Sequence, residues 1–221
     1  MGFSDDVWLA AEEWEISPMF PSDDKDANAT LGLASIVVDI ANKTAYTAPA
    51  LGQTGYEKLM PIHSGHKDYV VIVAAGYNHG YEPAPNRIYV GMKNRDANGR
   101  QIDYQTASPR DAFLARNGLL YGKIYGLALT PETFAALGLE VNPQDKMVDS
   151  YLKNADAPDR FQGRFYPTSY QWTGFDNPVA VKNTEMMLWD SEEEQPEGYT
   201  FFNGDTKTEH PAVDPSGKAR Y

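Results

Sequence analysis

The chain is 221 residues long, with 19 basic against 31 acidic side chains and a formal charge of -12. That length suits one substantial core, and that field repels phosphate backbones and anionic lipid surfaces, so nucleic acid is not an expected partner. With no cysteine the chain can form no disulfide, thiolate metal site or cysteine nucleophile.

No run approaches the roughly 18 apolar residues of a membrane span, and "MGFSDDVW" has neither the basic nor the apolar region of an export leader. A cytosolic protein or a mature or partial chain is expected, the latter because the first residues already read as strand. Glycine and proline are scattered rather than clustered, so residues 1–221 are expected to form a single domain. Divalent cations suit the acidic balance, since clustered carboxylates lower the cost of holding one and the field draws it in. Solubility alone is the competing reason for such a charge.

In chain order, "VWLAAEEWE" (Val7 to Glu15) reads as strand with Glu12 and Glu13 adjacent. Alternate strand side chains face opposite ways, so one of the pair can enter a site while the other faces away, unless a bulge intervenes. The alternative is a solvated acidic strand end. "DDKDANAT" places Asp24, Asp26 and Asn28 at alternate positions, like the opening of a calcium loop. An EF-hand also needs glycine sixth and glutamate twelfth, where this chain has Ala29 and Ser35, which leaves a looser loop or polar surface.

"ASIVVDI" (Ala34 to Ile40), "YVVIVAAG" (Tyr69 to Gly76), "RIYVGMK" (Arg87 to Lys93) and "LLYGKIYGLAL" (Leu119 to Leu129) read as strands from their β-branched and aromatic content. "DIANKTAY" reads as a hairpin turn. "NRDANGRQIDY" is the stronger one, with Asn98-Gly99 supplying positive φ angles. Glu57 in "GQTGYEKLMP" follows glycines in a turn, and "HSGH" (His63 to His66), interrupted by Gly65, reads as loop rather than as a zinc-binding helix.

Two short helices are expected. "SPRDAFLARNG" has Ser108 as N-cap, Pro109 first in the helix and Asn117-Gly118 as stop, and "TPETFAALG" repeats that grammar from Thr130 to Gly138. Glu209 in "GDTKTEHPAVDP" lies in a polar loop before a strand. "VDIANKTAY" (Val38 to Tyr46) and "VDPSGKARY" (Val213 to Tyr221) share V-D-x-x-x-K-x-x-Y, at a separation of about four repeats of roughly 44 residues, near the length of a propeller blade. The expected fold class is mainly β, a β-propeller or part of one with short helical insertions, rather than a sandwich.

In order, these pieces resemble the PhoX-type alkaline phosphatases, secreted metal-dependent phosphomonoesterases built on a β-propeller. "WLAAEEW" is similar to that family's W-L-T-C-E-E-N strand. "GQTGYEKLMPIHSGHKDYVVIVAAGYNHGYEPAPNRIYVGMK" is similar to its G-R-x-x-H-E segment with a hydrophobic strand, an acidic turn and an aromatic strand, and "KTEHPAVDPSGKARY" to its R-P-E followed by a V-D-P hairpin.

The resemblance implies that glutamates from different blades converge at the propeller mouth on iron and calcium. The metal-site candidates are then Glu12 or Glu13, Glu57 and Glu209, with a small phosphate ester as substrate. Hard cations take several carboxylate oxygens, and a propeller brings distant loops to one axial site.

Three departures bear on this. Ala11 stands where the family has an iron-binding cysteine, so calcium is the expected metal and an iron centre is disfavoured. Asn78 and His79 stand where the family's turn is acidic. Lys207 takes the place of the phosphate-holding arginine; it offers a charge as the catalytic candidate but not a bidentate fork.

The resemblance also implies a secreted, periplasmic or extracellular protein whose array is completed by further chain or by self-association. Two functions follow: a PhoX-like phosphatase or divergent relative with a carboxylate calcium site, and a non-catalytic calcium-binding propeller acting in structure or assembly. A sugar-binding β protein is a third class, given 14 tyrosines and 4 tryptophans, although aromatics at that level serve cores and strands as well.

Overall fold

The computed structural model describes residues 2–11, 35–52, 56–76, 87–129, 163–167 and 200–201. They are mainly β, in two antiparallel sheets with little helix. Strands β1 (Val7–Ala11), β2 (Ser35–Asp39) and β3 (Thr44–Thr47) form a three-stranded sheet in that order. The second sheet runs β4 (Tyr56–Ile62), β5 (Tyr69–Gly76), β6 (Arg87–Met92), β7 (Gly122–Leu129) and β8 (Gly163–Pro167), and β9 (Thr200–Phe201) also pairs with β7.

Residues 122–126 of β7 pair with β6, while residues 125–129 pair with β8. The overlap puts β8 on the opposite edge of β7. Since β9 meets Ala128 and Leu129, where β8 is also paired, it occupies the β6 edge beyond the end of β6. Both outer strands carry a proline, Pro61 in β4 and Pro167 in β8, and a residue without an N–H belongs on a sheet edge.

The four strands read from apolar runs are present as β2, β5, β6 and β7, although β7 starts at Gly122 rather than Leu119. In β6 the buried residues Arg87, Tyr89 and Gly91 alternate with half-buried Ile88, Val90 and Met92, the period-2 pattern of a pleated strand. In β5, Val70, Ile72 and Ala74 take the same inward role. They join Val37 of the first sheet and Phe113 of the helix in one apolar cluster. Each fully buried Ile, Leu or Phe there contributes about 1.5–3 kcal/mol relative to exposure.

The turn after β2 is built on Asp39, whose carboxylate accepts the Asn42 backbone N–H at 3.1 Å and its side-chain amide at 2.8 Å, while Lys43 takes φ 53. In "NRDANGRQIDY" the structure differs from expectation. Gly99 has positive φ but Asn98 does not, and Arg95 and Gln101 make a single bridge rather than a full hairpin. Asp96 organises this loop, its Oδ1 accepting the Asn98 and Arg100 N–H groups at 2.9 and 2.8 Å.

Helix α1 (Pro109–Arg116) begins and ends as its sequence requires. The Ser108 hydroxyl accepts the Asp111 N–H at 3.1 Å, Pro109 opens the helix, and Gly118 follows Asn117 with φ 70. Asn117 is fully buried. Its Oδ1 accepts the N–H groups of Ser4 and Asp5 at 2.9 and 3.1 Å, and its amide donates to Asp5 Oδ2 and to the Phe113 carbonyl. Arg116 donates to the same Asp5 oxygen at 2.6 Å. The segment leading into β1 is thus clasped to the end of the helix.

Where β6 passes β7, Gly91 faces Gly122, and the Tyr89 ring lies over both positions. A Cβ on Gly91 would overlap the Gly118 carbonyl oxygen, and one on Gly122 would enter the Tyr89 ring. The Tyr89 hydroxyl donates to that same Gly118 carbonyl at 2.9 Å.

Candidate functional site

Glu57 is the extra residue of a β-bulge. Tyr56 pairs with Gly76 and Lys58 with Ala75, so one residue of β4, Glu57, lies between two whose partners are consecutive on β5. This replaces the expectation of a glycine turn at Glu57: the glycines precede it, but the glutamate itself is within β4. A bulge frees one side chain from strict alternation and re-aims it, which is why bulges recur beside functional sites. Glu57 is half-exposed as a residue, while its Oε2 is buried.

Tyr56, the residue before the bulge, is buried, and its hydroxyl donates to the Leu51 carbonyl at 2.9 Å. The Arg87 guanidinium stands over its ring, with Cζ 5.8 Å from the centroid. Arg87 is only 2% exposed, although it opens a strand. It is paired across β5 with Ala74 and across β7 with Gly126. Burial pushes the Tyr56 phenol above its ordinary value and lowers that of the Arg87 guanidinium, and the attraction between the two partly opposes both shifts. Tyr56 therefore stays a neutral hydrogen-bond donor at physiological pH. Glu57 and Arg87 also interact with other groups of the chain.

Of the residues expected to form a metal site, Glu57 is described. Glu12, Glu13, Glu209 and Lys207 lie outside the described residues, as do Asp24, Asp26, Asn28, Asn78, His79 and the helix read from "TPETFAALG". Ala11, which precedes Glu12 in sequence, is the last residue of β1 and packs against the apolar cluster, while β1 itself packs against β4. Among the described residues no three His, Asp or Glu side chains gather in a metal-binding group.

Several of the described aspartates hold turns and termini instead: Asp39 and Asp96 as above, and Asp103, which accepts the Gln105 N–H and the Thr106 hydroxyl. His63 and His66 lie in the loop between β4 and β5, as expected. Their Nδ1 atoms accept the Gly65 and Asp68 N–H groups, each at 3.1 Å.

Tyr56 and Arg87 were not singled out by sequence reasoning. The available signal was a basic residue in phase with the inward positions Tyr89 and Gly91 of β6, which marks a buried cation. No protein-family model matches the chain, and neither a curated protein nor a solved structure matches it.

Proposed function

We propose that the protein is a PhoX-like metal-dependent phosphomonoesterase on a β-propeller, or a divergent relative retaining a carboxylate calcium site, acting outside the cytoplasm on small phosphate esters. The observation that carries this reading is the bulge at Glu57, which takes a carboxylate out of strand alternation next in sequence to Tyr56, whose ring lies under the buried Arg87 guanidinium. The antiparallel run β4 to β7, which β8 and β9 extend, is a meander of the kind from which propeller blades are built, and it supports this reading.

Glu57, Glu209 and one of Glu12 and Glu13 would hold the cation, a set of hard oxygen donors that fits calcium. With Ala11, partly buried against the core, where a thiolate would be needed, the set does not fit the iron centre of the phosphatase family. Bound calcium supplies Lewis acidity at a phosphoryl oxygen. Lys207 offers its ammonium to the phosphate as a point charge.

The same Ala11 favours a second reading, a non-catalytic calcium-binding propeller with a role in structure or assembly. Elemental analysis of the purified protein, melts with and without a calcium chelator, and hydrolysis of p-nitrophenyl phosphate separate the two. The phosphatase reading expects stoichiometric calcium, a lower Tm with chelator and hydrolysis; Glu57→Gln should weaken calcium binding at least about tenfold. Calcium without hydrolysis selects the second reading. A metal-free protein whose melt ignores the chelator overturns both.

A further inference from the structure

We propose that the Ser35 hydroxyl is a further oxygen donor of the cation site, kept free of protein partners so that the cation takes it. Ser35 opens β2 and is 2% exposed, in phase with the inward residues Val37 and Asp39. Its Oγ is buried and makes no hydrogen bond among the described residues. The other inward polar group of this strand, Asp39, is by contrast bonded through both carboxylate oxygens.

A buried hydroxyl without a partner costs stability, because it has left water and gained nothing in return, so such a group in a native fold points to something that binds there. Packing does not require it. The residue opposite on β1 is Ala11, and the one whose N–H donates to the Ser35 carbonyl, at 2.8 Å, is fully buried Ala48. Both neighbours carry only a methyl group, and serine differs from them by its oxygen alone.

The position ties this oxygen to the residues of the reading above, on which the proposal rests. Ala11 is followed in sequence by Glu12 and Glu13. The 3-10 turn Pro49–Leu51 begins from Ala48, bonded to Ser35, and ends at Leu51, whose carbonyl accepts the Tyr56 hydroxyl at 2.9 Å. The first residues of β2 and of β4, where Glu57 leaves strand alternation, are thus tied to one short turn. Calcium takes about 6–8 oxygens, a range that three carboxylates reach only if all are bidentate, so neutral oxygens complete its shell. A serine hydroxyl supplies one, with two lone pairs and no charge to desolvate.

Calorimetric titration with calcium alone, and melts in chelator, test this on wild type, Ser35→Ala and Glu57→Gln. Ile72→Val, which trims a buried residue of β5, is the control for lost stability. Ser35→Ala should bind calcium at least about tenfold more weakly while melting no lower than wild type in chelator; Ile72→Val should melt lower and bind as wild type does. A weaker site in an undiminished fold is a pairing that a merely structural hydroxyl cannot give. Calcium affinity equal to wild type in Ser35→Ala overturns the assignment, and weakening in Glu57→Gln then leaves the cation reading standing. A lower melt of Ser35→Ala in chelator overturns the assignment too, by showing that the hydroxyl stabilises the fold without a cation. If wild type takes up no calcium, the cation reading itself falls and the Ser35 assignment falls with it.

Discussion

Asp39 holds both of its carboxylate oxygens on Asn42, and the hairpin between β2 and β3 depends on its ionised form. The Asn42 side-chain hydrogen bond is the largest influence holding its carboxyl below the ordinary 3.8, with help from its backbone N–H and the Arg116 charge against the opposing effect of burial. A carboxyl with a lowered folded value stabilises the fold fully above its unfolded value and loses that contribution as pH falls through the folded one. Asp39→Asn should therefore melt lower than wild type at pH 7, by about 2–4 °C, and the gap should close below pH 3.8. Differential scanning calorimetry across pH 2–7 reads this, and a gap that stayed constant down to the lowest pH would contradict it. The pattern of Asp39 recurs at Asp96 and Asp103, where an acidic side chain takes up backbone N–H groups that a loop leaves without strand partners. Part of the chain's acidity is thus structural.

Strands β6 and β7 approach without side chains at one point, Gly91 opposite Gly122, and the Tyr89 ring fills the space both leave. Gly91→Ala would drive a methyl group into the Gly118 backbone, which cannot swing aside as a side chain can. A loss of about 3 kcal/mol, at the upper end for overpacking, should appear as a lower urea midpoint with unchanged slope; a loss under about 0.5 kcal/mol would mean that the strands can separate freely. The elements that sequence reasoning found share a trait: their signals are local. The runs of β2 and β5, and the cap, proline and stop of α1, declare themselves within about ten residues. Strand β4 did not, because the bulge breaks its alternation: Tyr56 and Leu59 are both buried, three positions apart, with exposed Lys58 between them. The feature that re-aims Glu57 is also the one that hid its strand. Strand β9, two residues long, carries no pattern to read, and of Asn98 and Gly99, both expected at positive φ, only Gly99 takes it, while the Asp96 carboxylate holds the loop. Glutamate positions were legible as residue types; Tyr56 and Arg87 became visible only once β4, β5 and β6 were paired.

The two sheets and the helix share one apolar cluster, but the segment before β1 is held largely by polar groups. Asn117→Ala would remove the acceptor for the Ser4 and Asp5 N–H groups and the donor to Asp5, leaving partners unsatisfied at about 1–3 kcal/mol each where they are buried. Hydrogen exchange should then rise selectively at residues 4–11 while β5 and β6 keep their protection; equal protection at β1 in both proteins would show that the clasp contributes little. The clasp also joins residues 112 positions apart in the chain, which gives it a place in time as well as in space. At about 5–20 residues per second a ribosome needs on the order of ten seconds to add that much chain, so Asp5 emerges well before Asn117 exists to receive it. During that interval, among the described residues, β1 rests on β2 and β4, with Trp8 still 57% exposed in the finished fold. The order of synthesis thus completes β1 well before the residue that clasps it, and nascent chains that end before Asn117 are the ones that a chaperone would have most reason to hold.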